Sequence, residues 1–191
     1  MNSQILLNIS ISLGLAFGIY GVVVQRGANL VRVDGKAVLM AAIWGVLELA
    51  AALAGYGGGS LLLRFEMARE RDVFWIHVLA GFLFAAIGIR MLIRAFREKT
   101  FLEHRMENVD IREDVLLSLR LCVHGFFAGI ACGLLELKLL PLLGIVFVVT
   151  AAFAVAGYIS GRAWGPAPSG KACAIGGGIL CLLGIVLQVL N

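Results

Sequence analysis

The sequence predicts an all-α membrane protein, with six transmembrane helices arranged as two inverted three-helix repeats. Three observations carry this expectation. The chain is 61% hydrophobic and 15% charged over 191 residues, with a mean hydropathy of +0.97, more apolar than a water-soluble domain of this size sustains. Its apolar residues fall into six runs between charged clusters, each near the roughly 20 residues a helix needs to cross a bilayer. Short matches also recur, in the same order, between the two halves of the chain.

The first span is expected at 4–24. No Lys or Arg precedes it in Met1–Gln4, and no small-residue cleavage pattern follows, so it reads as a retained helix rather than a secretory signal. The second, 37–63, carries Glu48 near its centre and ends in a glycine-rich run. In the third, 73–95, Trp75 and His77 suit one membrane interface, while Arg90 and Arg94 can snorkel to the other. The stretch from Arg97 to Asp114 mixes acids and bases without a motif, which predicts a solvated cytoplasmic linker with no chemistry of its own. The fourth, fifth and sixth spans are expected at 115–135, 139–160 and 172–190. The resulting organisation is a first repeat over 1–95, a linker over 96–114 and a second repeat over 115–191.

Basic residues set the orientation. Arg26, Arg32 and Lys36, then Arg97, Lys99, Arg105 and Arg112, then Arg162 and Lys171 fall in the first, third and fifth connections. The opposite side has Arg64, Arg69 and Arg71, diluted by Glu66, Glu70 and Asp72, and Lys138. The positive-inside rule then puts both termini outside the cytoplasm in a multi-pass protein of the cell inner membrane.

Several function classes are excluded on the same residues. No connection is long enough to hold a soluble catalytic or nucleotide-binding domain, and no G-x-x-x-x-G-K-[ST] phosphate loop occurs, so no enzyme activity is expected. The net charge of +4 follows from topology, which leaves the lipid bilayer and a small cation as the expected partners and gives no reason to expect nucleic acid. Cys122, Cys132, Cys173 and Cys181 all lie in apolar segments and form no C-x-x-C pair, so they read as small core residues rather than a disulfide or zinc framework.

The internal matches define the repeat. Ser12-Leu13-x-Leu15 corresponds to Ser118-Leu119-x-Leu121, which sets Gly18 opposite His124. Ala54-Gly55-Tyr56-x-x-Gly59 corresponds to Ala156-Gly157-Tyr158-x-x-Gly161, and Gly81 with Gly88-Ile89 to Gly177 with Gly184-Ile185. Three helices per half is an odd number, so the second half must enter the membrane in the opposite sense. Repeats of this kind commonly build secondary transporters with a substrate site at the midplane.

Five residues are candidates for a transport path: Glu48, His124, Thr150, Tyr20 and Gly18. A charge at the position of Glu48 costs about 2.5 to 3.5 kcal/mol on insertion scales. A bound cation, a partner side chain or a proton would offset that, and the bland alternative is a protonated Glu packed by a hydrogen bond to a neighbouring helix. Thr150 is its counterpart in the second half, a hydroxyl that suits a polar path. His124 is either a metal ligand or proton relay, or a satisfied packing residue. Glu48 and His124 are the candidate metal ligands. Gly14-x-x-x-Gly18, Gly55-x-x-x-Gly59 and Gly125-x-x-x-Gly129-x-x-x-Gly133 read as helix contact surfaces.

Taken together, the chain resembles the manganese efflux pump family of small six-helix exporters over nearly its whole length. The resemblance rests on Arg26-Gly27-Ala28, on Trp44-Gly45-Val46-Leu47-Glu48 continuing through Leu53-x-Gly55-Tyr56-Gly57-x-Gly59, and on Trp75-Ile76 with Gly88-x-Arg90-Met91. In the second half it rests on Gly157-x-x-x-Gly161-Arg162, Lys171-Ala172 and Gly176-Gly177. It implies two inverted repeats and export of Mn(II) or another divalent cation as substrate, with no permanently bound cofactor.

The family carries an Asp in a D-A-[FM]-A-V motif in the first helix of each half. This chain has Gly18-Ile19-Tyr20-Gly21-Val22 and His124-Gly125-Phe126-Phe127-Ala128 there. Lys138 stands where the family tends to have Asn. Mn(II) favours hard oxygen ligands, so the loss of both carboxylates implies altered or lost transport with a preference shifted toward later transition metals. The rival expectation is a non-transporting membrane scaffold, similar to sporulation membrane proteins with weakened motifs.

Overall fold

In the computed structural model, which describes residues 2–64, 73–97 and 111–189, the chain forms six long α-helices. They are α1 (Asn2–Ala28), α2 (Gly35–Arg64), α3 (Val73–Arg97), α4 (Ile111–Leu134), α5 (Leu139–Trp164) and α6 (Pro168–Val189). All six are long and apolar enough to cross a membrane, and no strand occurs among the described residues. The helices overrun the apolar runs at several ends, because a helix continues into polar residues once lipid is left behind. The helical parts of α3 and α4 thus take both ends of the expected linker, whose remainder lies outside the described residues.

Local chemistry sets the helix ends. Asp34 Oδ1 accepts from the backbone N–H groups of Lys36 and Ala37 at 3.2 and 3.3 Å, a side-chain cap on the first turn of α2. Pro141 sits in the first turn of α5, where its missing N–H removes no helical bond. At the other end of α5, Gly165 adopts φ +70° and donates its N–H to Gly161 O at 2.8 Å. Pro168 then opens α6 with a preset φ.

Small residues decide which helices meet. The most extensive contacts are α2 with α4, α1 with α5, and α3 with α6. A Cβ at Gly55 would collide with Phe126 O, and one at Gly129 with Ala52 O, so α2 and α4 touch backbone to backbone and run parallel. α1 and α5 do the same where Gly161 faces Val24 O. Between α3 and α6 a Cβ at Gly81 would lie 2.7 Å from Gly184 O and one at Gly88 2.6 Å from Gly177 O, so these two helices run antiparallel. Such close approach is how helices associate where lipid supplies no hydrophobic drive.

The contacts are reciprocal between the halves. Gly59 meets Ile130 O and Leu134 N, while Gly161 meets Val24 O and Ala28 N. The spacing that sets Gly18 opposite His124 also sets Val24 opposite Ile130 and Ala28 opposite Leu134. Likewise Gly81 meets the partner of Gly88, and Gly88 the partner of Gly81. The contacts thus follow the same correspondence as the internal sequence matches.

Candidate functional site

Glu48 is 1% exposed, inside the membrane-spanning length of α2. Its carboxylate lies against the Cα of Gly125 on α4, where any side chain would overlap it. One turn earlier on α4, the Cys122 thiol is its hydrogen-bond partner, and Glu48 Oε2 has none. Residues three apart share a helix face, so Gly125 clears the space and Cys122 lines it. Of the four cysteines expected in the core, all are free and Cys122, Cys132 and Cys173 are buried, while Cys181 is half-buried. That expectation missed that one of them faces the intramembrane acid. The signal was present in the Cys-x-x-Gly spacing at the start of the glycine series of α4.

Thr150 on α5 is 1% exposed, and its Oγ1 makes no hydrogen bond. Tyr20 is committed elsewhere: its hydroxyl donates to Ser160 Oγ at 2.8 Å, and its ring meets Phe153 edge-on at 6.1 Å, tying α1 to α5. Gly18 faces α3, where a Cβ would come 2.8 Å from Met91 Cε. A flexible thioether end thus occupies the space beside that position.

His124 occupies a different face of α4 from Gly125. It borders a cavity of about 430 Å³ with Arg90, Arg94, Arg97 and Arg120, and a second of about 150 Å³ with Leu83, Ile87, Arg90 and Phe127. Neither cavity includes Glu48, and the imidazole Nε2 is buried without a partner. Neither of these two cavities therefore gathers the five candidates. What Glu48, His124 and Thr150 share is a buried polar atom left unpaired. Asn8 Oδ1 is unpaired in the same way.

The structure also shows a polar cluster that sequence reasoning passed over. Asp114, 3% exposed, receives Arg26 Nε at 3.1 Å and the Tyr158 hydroxyl at 2.7 Å. Arg26 also reaches Glu113 Oε2 at 3.2 Å. The cluster joins the end of α1, the start of α4 and the late part of α5. A stretch expected to carry no chemistry thus ends in a buried carboxylate that ties the two halves together.

A family model described as "Putative manganese efflux pump" matches residues 33–188, from just before α2 almost to the end of α6. The chain belongs to this manganese efflux pump family. Membership and six spanning helices place it among multi-pass membrane transporters of the divalent-cation type. Relatives named "Putative manganese efflux pump MntP" match at low identity over nearly full length. One from Desulfitobacterium hafniense (strain Y51) is 25% identical over 92% of this chain and 89% of its own. One from Methanothermobacter thermautotrophicus is 26% identical over 95% of this chain and 94% of its own. No solved structure matches. Within this family, the positions where the resemblance expects the two aspartates hold Gly18 against Met91 and His124 among arginines.

Proposed function

We propose that the chain exports a divalent transition-metal cation from the cytoplasm as a secondary transporter, with Glu48 as the intramembrane ligand. The observation that carries this is the buried Glu48 carboxylate with Oε2 unpaired. A carboxylate so placed needs a cation or a proton to offset its desolvation, and exchanging one for the other couples metal to proton. Cys122 adds a sulfur donor beside it. Oxygen plus sulfur suits later metals such as zinc better than Mn(II), which favours oxygen alone. The halves act as an inverted pair with both termini outside the cytoplasm, so access alternates by tilting one three-helix unit against the other. On this reading Thr150, whose buried hydroxyl is unpaired, continues the path, while His124 borders the arginine-lined cavity and Tyr20 and Gly18 are taken up by Ser160 and Met91.

The test is metal content in cells lacking their own manganese exporter, challenged with Mn, Co, Ni or Zn. Expression should lower the content of at least one metal. Glu48→Gln should abolish the effect at unchanged membrane abundance, and Cys122→Ser should move the preference toward Mn. Unchanged content for all four ions would favour the second reading, a non-transporting membrane scaffold. The separation of Glu48 from the cavities of His124 is the observation on that side.

A further inference from the structure

The groove between α3 and α4 has the wrong charge for a cation. Four guanidinium groups, Arg90, Arg94, Arg97 and Arg120, border its larger cavity together with His124, and among the described residues no acidic side chain lines it. Arg90 lies seven residues inside the end of α3, about 10 Å along the axis at 1.5 Å per residue. Arginine at such depth is costly unless it reaches the interface or meets an anion. Guanidinium is the side chain best shaped to hold a phosphate through paired N–H donors.

The groove is also polar at one end and apolar at the other. From the guanidinium cavity it continues past Arg90 and His124 into the second cavity, walled by Leu83, Ile87 and Phe127. Phe127 and Ile93 on its rim are 41% and 52% exposed, so the groove opens sideways where lipid lies. The corresponding seam between α1 and α6 is filled: a Cβ at Gly14 would lie 2.7 Å from Leu180 Cγ, and one at Gly21 2.9 Å from Ser169 O. Of two seams related by the repeat, one is packed shut and the other is open and lined with arginine.

We infer that the α3/α4 groove binds one anionic phospholipid, its phosphate held by Arg90 and Arg120 and an acyl chain laid along Leu83, Ile87 and Phe127. A soluble anion would use the polar end alone and leave the apolar end empty. A zwitterionic lipid would bring its ammonium group against four positive charges. Basic pockets between membrane helices on the cytoplasmic side are a recognised setting for anionic headgroups.

The experiment is thermal unfolding of the purified full chain in a neutral detergent with phosphatidylglycerol, phosphatidylcholine or inorganic phosphate added. Phosphatidylglycerol should raise the midpoint by a few degrees or more, and the other two should leave it in place. The double variant Arg90→Gln/Arg120→Gln, at two exposed positions, should keep the lipid-free midpoint and lose the increase. Native mass spectrometry of the unmodified chain gives a second reading that no variant can spoil: one phosphatidylglycerol should survive activation that strips phosphatidylcholine. Equal stabilisation by both lipids, an equal shift from inorganic phosphate, or an increase that persists in the double variant would each overturn the assignment.

Discussion

Arg26 and Asp114 make a pair whose partners differ in dependence. The Asp114 side chain is 4% exposed and that of Arg26 20%, so removing the cation leaves a buried carboxylate without its guanidinium, while the Tyr158 hydroxyl still donates to it. Breaking a buried pair from one side costs about 3–5 kcal/mol, an upper figure here because Arg26 is partly solvated. Arg26→Gln should therefore lower the unfolding midpoint in detergent clearly more than Asp114→Asn, whose amide oxygen still accepts from Tyr158. Equal losses would show that Tyr158 contributes nothing. At this scale the sequence was informative where a residue was out of place in its surroundings. Glu48, Thr150 and His124 stand out in apolar runs, and each holds an unpaired buried atom. It was silent where a residue matched its neighbours. Asp114 ends a charged stretch, which hides whether an acid is solvated or enclosed, and Cys122 is one small apolar residue among many.

Helix against helix, the glycines separate into those that carry contact and those that do not. A Cβ at Gly55 meets the carbonyl of Phe126, which cannot move without shifting α4, whereas Gly57 has open space around it. Gly55→Ala should destabilise by about 1–3 kcal/mol through overpacking. Gly57→Ala should be neutral or stabilising by up to about 1 kcal/mol through helix propensity, and unfolding midpoints of the two variants measure the difference. The glycine spacing in α2 and α4 announced contact surfaces, because small residues every fourth position can serve little else. It did not say that these two surfaces meet each other in parallel across the halves, since spacing within one helix carries no address for its partner.

For the whole molecule, the order of helices and their lengths were legible, because lipid demands a run of apolar residues whatever the function. Orientation rests on charge alone and makes a direct prediction. Val31 in the first connection and Leu140 at the start of α5 are 48% and 84% exposed. In intact cells, Leu140→Cys should react with a membrane-impermeant thiol reagent and Val31→Cys should not; the reverse would turn the protein over. The crossing of α3 and α6 has a mechanical implication. At Gly81, Gly88, Gly177 and Gly184 main chain meets main chain, with Leu92, Cys181 and Gln188 packed beside the contacts. Glide along this joint has only those few side chains to displace. The Arg26–Asp114 pair, between α1 and α4, supplies a second tie between the two units, as a clasp beside a hinge.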